Sequence, residues 1–585
     1  FIALLSASCV GISQEVEPPQ TIESTPLPPT QPPPETAEPE APTEEPPTPT
    51  AEPTLESEEP QPTAAAGITA VPFDLGEFTL LQKSVPEQLR EMPVELEGLI
   101  AAPPEGDNLP LAVIIHGSHG VDCPVVDDFF QDWPCPEDET KHYGGFDYLL
   151  EALAERGYAA ISINANSTFV SAFGEPDSNA RLVTLVDLYL NQVAAANAGD
   201  AVDFGVDLAG RVDLNTLVIL GHSASGQGAG WVVGSRAGSD SPEQIAAGEG
   251  PFSAAFLLAP VPSNLPEDGL ALPFAVLLPA CDEDVADLAG QTYYEAARQS
   301  EVREDAALSV YLRGANHTRF NSLLLSDEGL AEASAVCDDA LISPAEHQQF
   351  LAELAGSFFD DALGRGEGDP AAIGLDAGQP APSELLGQQV LTSLALPADQ
   401  RSVLPLADGQ VNGDVSAVFC EQGFAQKESS QEACRRDPVN QPGNPEQLVL
   451  SWSGPGAVYE VSLPQGMGDL SAYDILHLRA AVDPMSPLNI AGEAQPFTLR
   501  LTDGSGSSAS IVLDETAALA FPEGEVRQIG DFTGWDNLVL LSSIRLPLSD
   551  FSGIDLSDVQ SISFLFDQTD SGAIFVTDLE LLDVP

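Results

Sequence analysis

The chain has 585 residues, of which 91 are acidic and 20 basic, with only three lysines. This length exceeds what one hydrophobic core usually serves, so more than one folded unit is expected. A formal net charge of −71 argues against nucleic acid as a partner, because phosphate binding needs clustered Lys and Arg.

The first element in chain order is "FIALLSASCVGIS", a short apolar run with small residues before Cys9. Residues 1–14 read as a signal-peptide remnant in which Cys9 stands where a bacterial lipoprotein carries its lipid; Ser6 departs from the usual Leu or Val. The expected location is extracellular, tethered to the cell surface as a lipoprotein, or secreted if Cys9 is not lipidated. The run is too short for a spanning helix. Residues 15–66 are rich in Pro, Thr and Glu and contain no aromatic residue, so they cannot bury enough apolar area to offset their ordering entropy. They are expected to be a disordered, extended spacer. The negative charge is not confined to this spacer, which holds twelve glutamates; the rest of the chain is acidic too. Such a surface suits a saline habitat, where salt screens self-repulsion, and equally an ordinary acidic exported protein.

Six further cysteines, Cys123, Cys135, Cys281, Cys337, Cys420 and Cys434, form an even set in an apparently exported chain, which suggests disulfides of open connectivity. Buried free thiols are the alternative. No Cys-x-x-Cys pair and no histidine at ligand spacing accompanies them, so no metal is expected.

Residues 67–366 alternate strand and helix patterns, which predicts an α/β fold with a mostly parallel sheet covered by helices on both faces. "LAVIIHG" is an apolar strand ending at glycine, and "FDYLLEALAERGYAAISINAN" reads as helix, Gly157 stop, buried strand. Leu182, Leu185, Val186, Tyr189, Leu190 and Val193 recur at helical spacing as one inward stripe. The strands "AAFLLAP", "FAVLLPA" and "LSVYL" follow, each ending in a polar or glycine-rich loop, and the helix "PAEHQQFLAELAGSFF" closes the domain. After a linker at 367–384, residues 385–585 change to period two; Ile562, Phe564 and Phe566 point to one face, as expected of an all-β jelly-roll sandwich.

Ligands of open parallel sheets bind beyond the carboxyl ends of the strands, so those loops are where chemistry is sought. Gly221-His222-Ser223-Ala224-Ser225-Gly226 follows an apolar strand and precedes a helix, the context of a nucleophile elbow, but its final glycine arrives one residue late. Ser223 is the candidate nucleophile. A serine hydroxyl needs a base, an acid to orient that base, and donors for the oxyanion. His317, in "GANHTRFN", is the only one of seven histidines in the loop directly after the last strand of the series. The loop "PACDEDV" offers two acids; Asp284 is preferred for its longer reach and Asp282 is the alternative. The oxyanion donors are the backbone amides of Ala224 and Ser118, with His119 in reserve for Ser118. Each piece alone has a structural explanation; four in the order Ser, Asp, His at strand ends make coincidence improbable.

With "HGSHG", "GHSASG", "PACDEDV", "GANHTRFN" and "LAERGYAAISINAN", the segment from about 70 to 365 resembles the α/β-hydrolase superfamily, in particular exported bacterial enzymes similar to polyester hydrolases and cutinase-like lipases. The resemblance implies a Ser223, Asp284, His317 triad and a serine esterase that works through an acyl-enzyme without a cofactor. Only thirteen residues separate "AAFLLAP" from "FAVLLPA", which leaves no room for a large lid and suggests an open site for bulky or polymeric esters. The loop from Val121 to Gly144 would form one wall, stapled by Cys123 and Cys135; its Asp127, Asp128 and Asp132 read as a solvated acidic face in preference to a cation site. The C-terminal region, through "IRLPLSDFSGIDLSDVQSISFLF" and "GAIFVTDLELL", resembles the galactose-binding-like jelly rolls of carbohydrate-binding modules, which implies a glycan partner with Trp452 or Trp535 as stacking surfaces or core residues. The competing readings are an inert surface glycan-binding protein, and a peptidase or thioesterase using the same triad.

Overall fold

Runs such as Leu109–Ile115 and Phe274–Cys281 are buried along their whole length, as strands covered on both faces must be. The computed structural model describes residues 67–584 apart from internal stretches, the longest being 83–89, 171–177, 263–269, 325–340 and 421–445, with 119–138 described only in part. The expected signal remnant, spacer and Cys9 lie outside the described residues.

Among the described residues, ten strands form one sheet: β1 (Val71–Leu81), β2 (Glu91–Ala101), β3 (Leu109–Ile115), β4 (Ala159–Ile163), β5 (Val212–His222), β6 (Phe252–Leu258), β7 (Phe274–Cys281), β8 (Ala307–Asn316), β9 (Glu384–Leu385) and β10 (Gln388–Ala395). Their order is β1-β2-β4-β3-β5-β6-β7-β8-β10-β9. The central neighbours from β4 to β8 run parallel, whereas β1–β2, β2–β4, β8–β10 and β10–β9 are antiparallel. The expected class, an α/β-hydrolase fold with a mostly parallel sheet and helices on both faces, is therefore corrected. The sheet is mixed, both of its edges are antiparallel, and the described chain holds far more strands than helices, many of them in further antiparallel sheets. An apolar run reports that a strand is buried but carries no mark of its neighbour's direction, which is why the sequence pattern misassigned the edges.

The longer helices are α1 (Asp147–Glu155), α2 (Ser178–Asn197), α3 (Ala224–Ser235), α4 (Gln291–Gln299) and α5 (Pro344–Ala362). α5 starts at a capping box, in which Ser343 and Glu346 bond each other's backbone amides. The stripe from Leu182 to Val193 on α2 is buried. No described helix is long and apolar enough to cross a membrane.

Among the described residues, the remaining strands make two two-stranded sheets and two antiparallel sheets of six and five strands. Leu448, Leu450, Leu476 and Leu478 from one meet Tyr459, Phe497, Phe564 and Phe566 from the other in a shared core. Residues 384–395, assigned from sequence to the end of the linker and the start of the sandwich, instead extend the ten-stranded sheet as β9 and β10. Residues 65–585 form one compact unit. Within it Arg479, on the strand Ile475–Val482, is fully buried and donates to both carboxylate oxygens of Glu295 on α4 at 2.8 and 2.9 Å and to Asp578 at 2.5 Å.

Candidate active site

The elbow is built by the end of β5. Ser223, buried at the start of α3, has φ 57° and ψ −123°, a conformation that costs a non-glycine residue energy. Two close approaches surround it. A Cβ on Gly221 would stand 2.1 Å from the Ser225 carbonyl oxygen, and one on Gly226 would stand 2.7 Å from Cβ of Pro260, just beyond β6. The glycine that helix-to-strand packing demands is thus Gly226. Ser225 fits because its buried hydroxyl donates to the His116 carbonyl at 2.6 Å. The late glycine of the motif leaves the elbow intact.

The candidate base and its carboxylate neighbours come from the ends of β8 and β7. His317 is fully buried, and its Nδ1 lies 3.0 Å from Asp282 Oδ2. The other oxygen of Asp282 accepts from the amides of Asp284 and Val285 at 3.0 and 2.7 Å, which locks the carboxylate toward the imidazole. Asp284, the preferred acid from sequence, stands on the opposite side of the ring, 3.4 Å from Nε2, with its side chain half exposed. The expected Asp284 orienting role is therefore not the one its geometry fits; Asp282 occupies that place. The reason is local. The loop turns back on itself over Asp282, so the residue directly at the strand end reaches the histidine without any extra chain.

His317 rests on His222, the residue before Ser223: the rings are 4.8 Å apart, and His222 Nε2 donates to the His317 carbonyl at 3.0 Å. Behind it, His347 on α5 accepts from the Asn316 amide through Nε2 at 3.0 Å while Nδ1 donates to the Ser343 carbonyl, so α5 fixes the loop that carries the base. His116, at the end of β3, accepts from the Ala165 amide through Nε2 and donates from Nδ1 to the Gly117 carbonyl. Burial pushes this imidazole down to about 3, and nearby His142 adds to the effect, so it stays neutral and rigid. Sequence reading assigned no role to His116, His222 or His347; the first two sit at the ends of apolar strands, and that was the available signal.

Of the expected oxyanion donors, Ala224 opens α3, where the first amides of a helix have no intrahelical partner, and Ser118 lies exposed just beyond β3, the strand beside β5. The reserve donor His119 lies outside the described residues, as do Cys123, Cys135, Asp128, Asp132, Cys337, Cys434 and the side chains of Asp127 and Trp535. Cys281, which ends β7 beside Asp282, and Cys420 are disulfide-bonded. Away from these residues, a cleft of about 180 Å³ beside β2 is lined by Glu95, Trp133, Glu139, Lys141, Asn164 and Ser167. Lys141 pairs there with Glu97. Trp452, offered from sequence as a sugar platform, is instead a core residue: it is 1% exposed and stacks on Phe566 at 4.1 Å.

No family model matches the chain, and no curated protein matches it significantly.

Proposed function

We propose that the protein is a serine hydrolase that cleaves carboxylic esters through an acyl-enzyme. The observation that carries this reading is the buried His317–Asp282 pair, 3.0 Å apart, resting against the residue next to a serine held at positive φ. Ser223 Oγ attacks the ester carbonyl carbon and its proton passes to His317 Nε2. Asp282 keeps the Nδ1 proton in place and stabilises the imidazolium, while the amides of Ala224 and Ser118 receive the oxyanion. The imidazolium then protonates the departing alcohol. Water, activated by the same histidine, releases the acid and restores Ser223. None of these steps draws on a cofactor.

The short connection between β6 and β7 supports an open site that admits bulky or polymeric esters. The apolar opening run and Cys9 support export and lipid anchoring at the cell surface. The test is turnover of p-nitrophenyl acetate, butyrate and palmitate together with labelling by a fluorophosphonate. Wild type is expected to turn over and to label, and Ser223→Ala to do neither. An unlabelled wild type, or an active Ser223→Ala, overturns the proposal.

A further inference from the structure

The triad reading leaves Asp284 without a task, although its carboxylate is the group 3.4 Å from His317 Nε2, the nitrogen that must take the serine's proton. With Asp282 3.0 Å from Nδ1, the imidazole stands between two carboxylates. A neutral ring can donate from only one nitrogen and would turn a lone pair toward the second carboxylate. The Asp284 contact is at ion-pair distance and is not a hydrogen bond, and a carboxylate so placed favours the protonated ring, which cannot accept a proton from Ser223.

We propose that Asp284 is a positioning residue that competes with Ser223 at His317 Nε2, its carboxylate favouring the protonated, inactive base until it swings aside. The inference rests on the triad reading above. The two acids differ in the way this requires. Asp282 is 1% exposed and its second oxygen is tied to two backbone amides, so it stays. Asp284 is anchored to the same turn only through its backbone amide, and its side chain is 51% exposed. Rotation of that side chain into water breaks one partly screened contact and needs no loop movement. Among the described residues, the titratable groups that face His317 are Asp282 and Asp284 from the loop after β7 and His222 from the end of β5, whose Nε2 is engaged by the His317 carbonyl. Of these, Asp284 alone has a side chain open to water.

The sign follows directly. A second carboxylate favours the protonated ring, so it delays activation of Ser223 as pH rises. Removing it should move the acid limb of activity to lower pH. The experiment is the rate of fluorophosphonate labelling of the full chain as a function of pH, for wild type, Asp284→Asn, Asp284→Ala, Asp282→Asn and Ser223→Ala. Both Asp284 variants are expected to label roughly threefold to tenfold faster than wild type near pH ~5.5, as a partly exposed ion pair allows, with the advantage shrinking as pH rises. Asp282→Asn should be slower throughout. Asp284 profiles that superimpose on wild type, or that are slower at every pH, overturn the competition while leaving the serine reading standing. Labelling that survives in Ser223→Ala, or that is absent from wild type, removes both.

Discussion

Replacing Asp282 by Asn tests which acid orients the base. The change keeps the shape of the side chain and removes its charge. Because Oδ1 accepts from the amides of Asp284 and Val285, the carbonyl oxygen of the new amide will keep that place and turn its NH2 group toward His317 Nδ1. A donor there selects the tautomer with its proton on Nε2, which cannot accept a proton from Ser223. The 3.0 Å pair is shielded from water, with His317 0% and Asp282 1% exposed, so solvent does little to compensate. The expected loss in kcat is about 10⁴-fold, or roughly 5 kcal/mol of transition-state stabilisation. Steady-state hydrolysis of p-nitrophenyl acetate at pH ~8 measures it, with a thermal melt to establish that the variant is folded. Retention of more than about a tenth of wild-type kcat by Asp282→Asn, with a four-decade fall in Asp284→Asn instead, would refute the reasoning and restore Asp284 as the orienting acid.

Gly226→Ala should lose about 1–3 kcal/mol of stability, with turnover falling as well, because its Cβ would lie 2.7 Å from Pro260. Ser225→Gly regularises the motif yet should cost about 1–2 kcal/mol, by losing the 2.6 Å bond to the His116 carbonyl and adding a glycine to α3, while leaving most turnover; urea midpoints measure both variants. Arg479→Met should destabilise the protein by about 3–5 kcal/mol in urea unfolding, because Glu295 and Asp578 remain buried with only Arg298 between them. Stability should also fall on acidification. The unfolded chain protonates His116 near its ordinary value of 6.5 while the native ring resists to about 3, so each unit between those limits costs up to about 1.4 kcal/mol, and His116→Gln should flatten that slope in pH-dependent urea unfolding.

The candidate nucleophile Ser223 and candidate base His317 were legible because each follows a recognisable apolar run at a strand end. The choice between Asp282 and Asp284 was not, because it depends on a turn of two amides onto one carboxylate oxygen, which sequence spacing does not encode. The late glycine looked like a flaw only while packing was unknown; Pro260 presses on position 226, not on 225. Sheet direction was lost for a related reason. β2 and β10 join strands of the parallel centre from the antiparallel side, and nothing in their composition distinguishes that from a parallel approach.

At the division of the chain into a first, α/β-patterned part and a sandwich, the sequence carried a sign of contact between the two. "ILHLRAAV" is a strand buried at every position, yet it contains His477 and Arg479. An arginine in such a strand must find carboxylates, since an unpaired buried charge is far too costly. One of them, Asp578, sits in a positive-φ bulge opposite the strand, at φ 52°, where the register slips between His477 and Arg479. Burial alone would raise its carboxyl, but Arg298 and Arg479 hold it down to about 2. The other, Glu295, belongs to α4, the helix that follows the loop bearing Asp282 and Asp284. The period-two pattern identified the strands correctly but said nothing about which surface they cover. The lone arginine in an apolar strand was the residue that pointed across the boundary, and it links the antiparallel sheets to the helix behind the proposed acid.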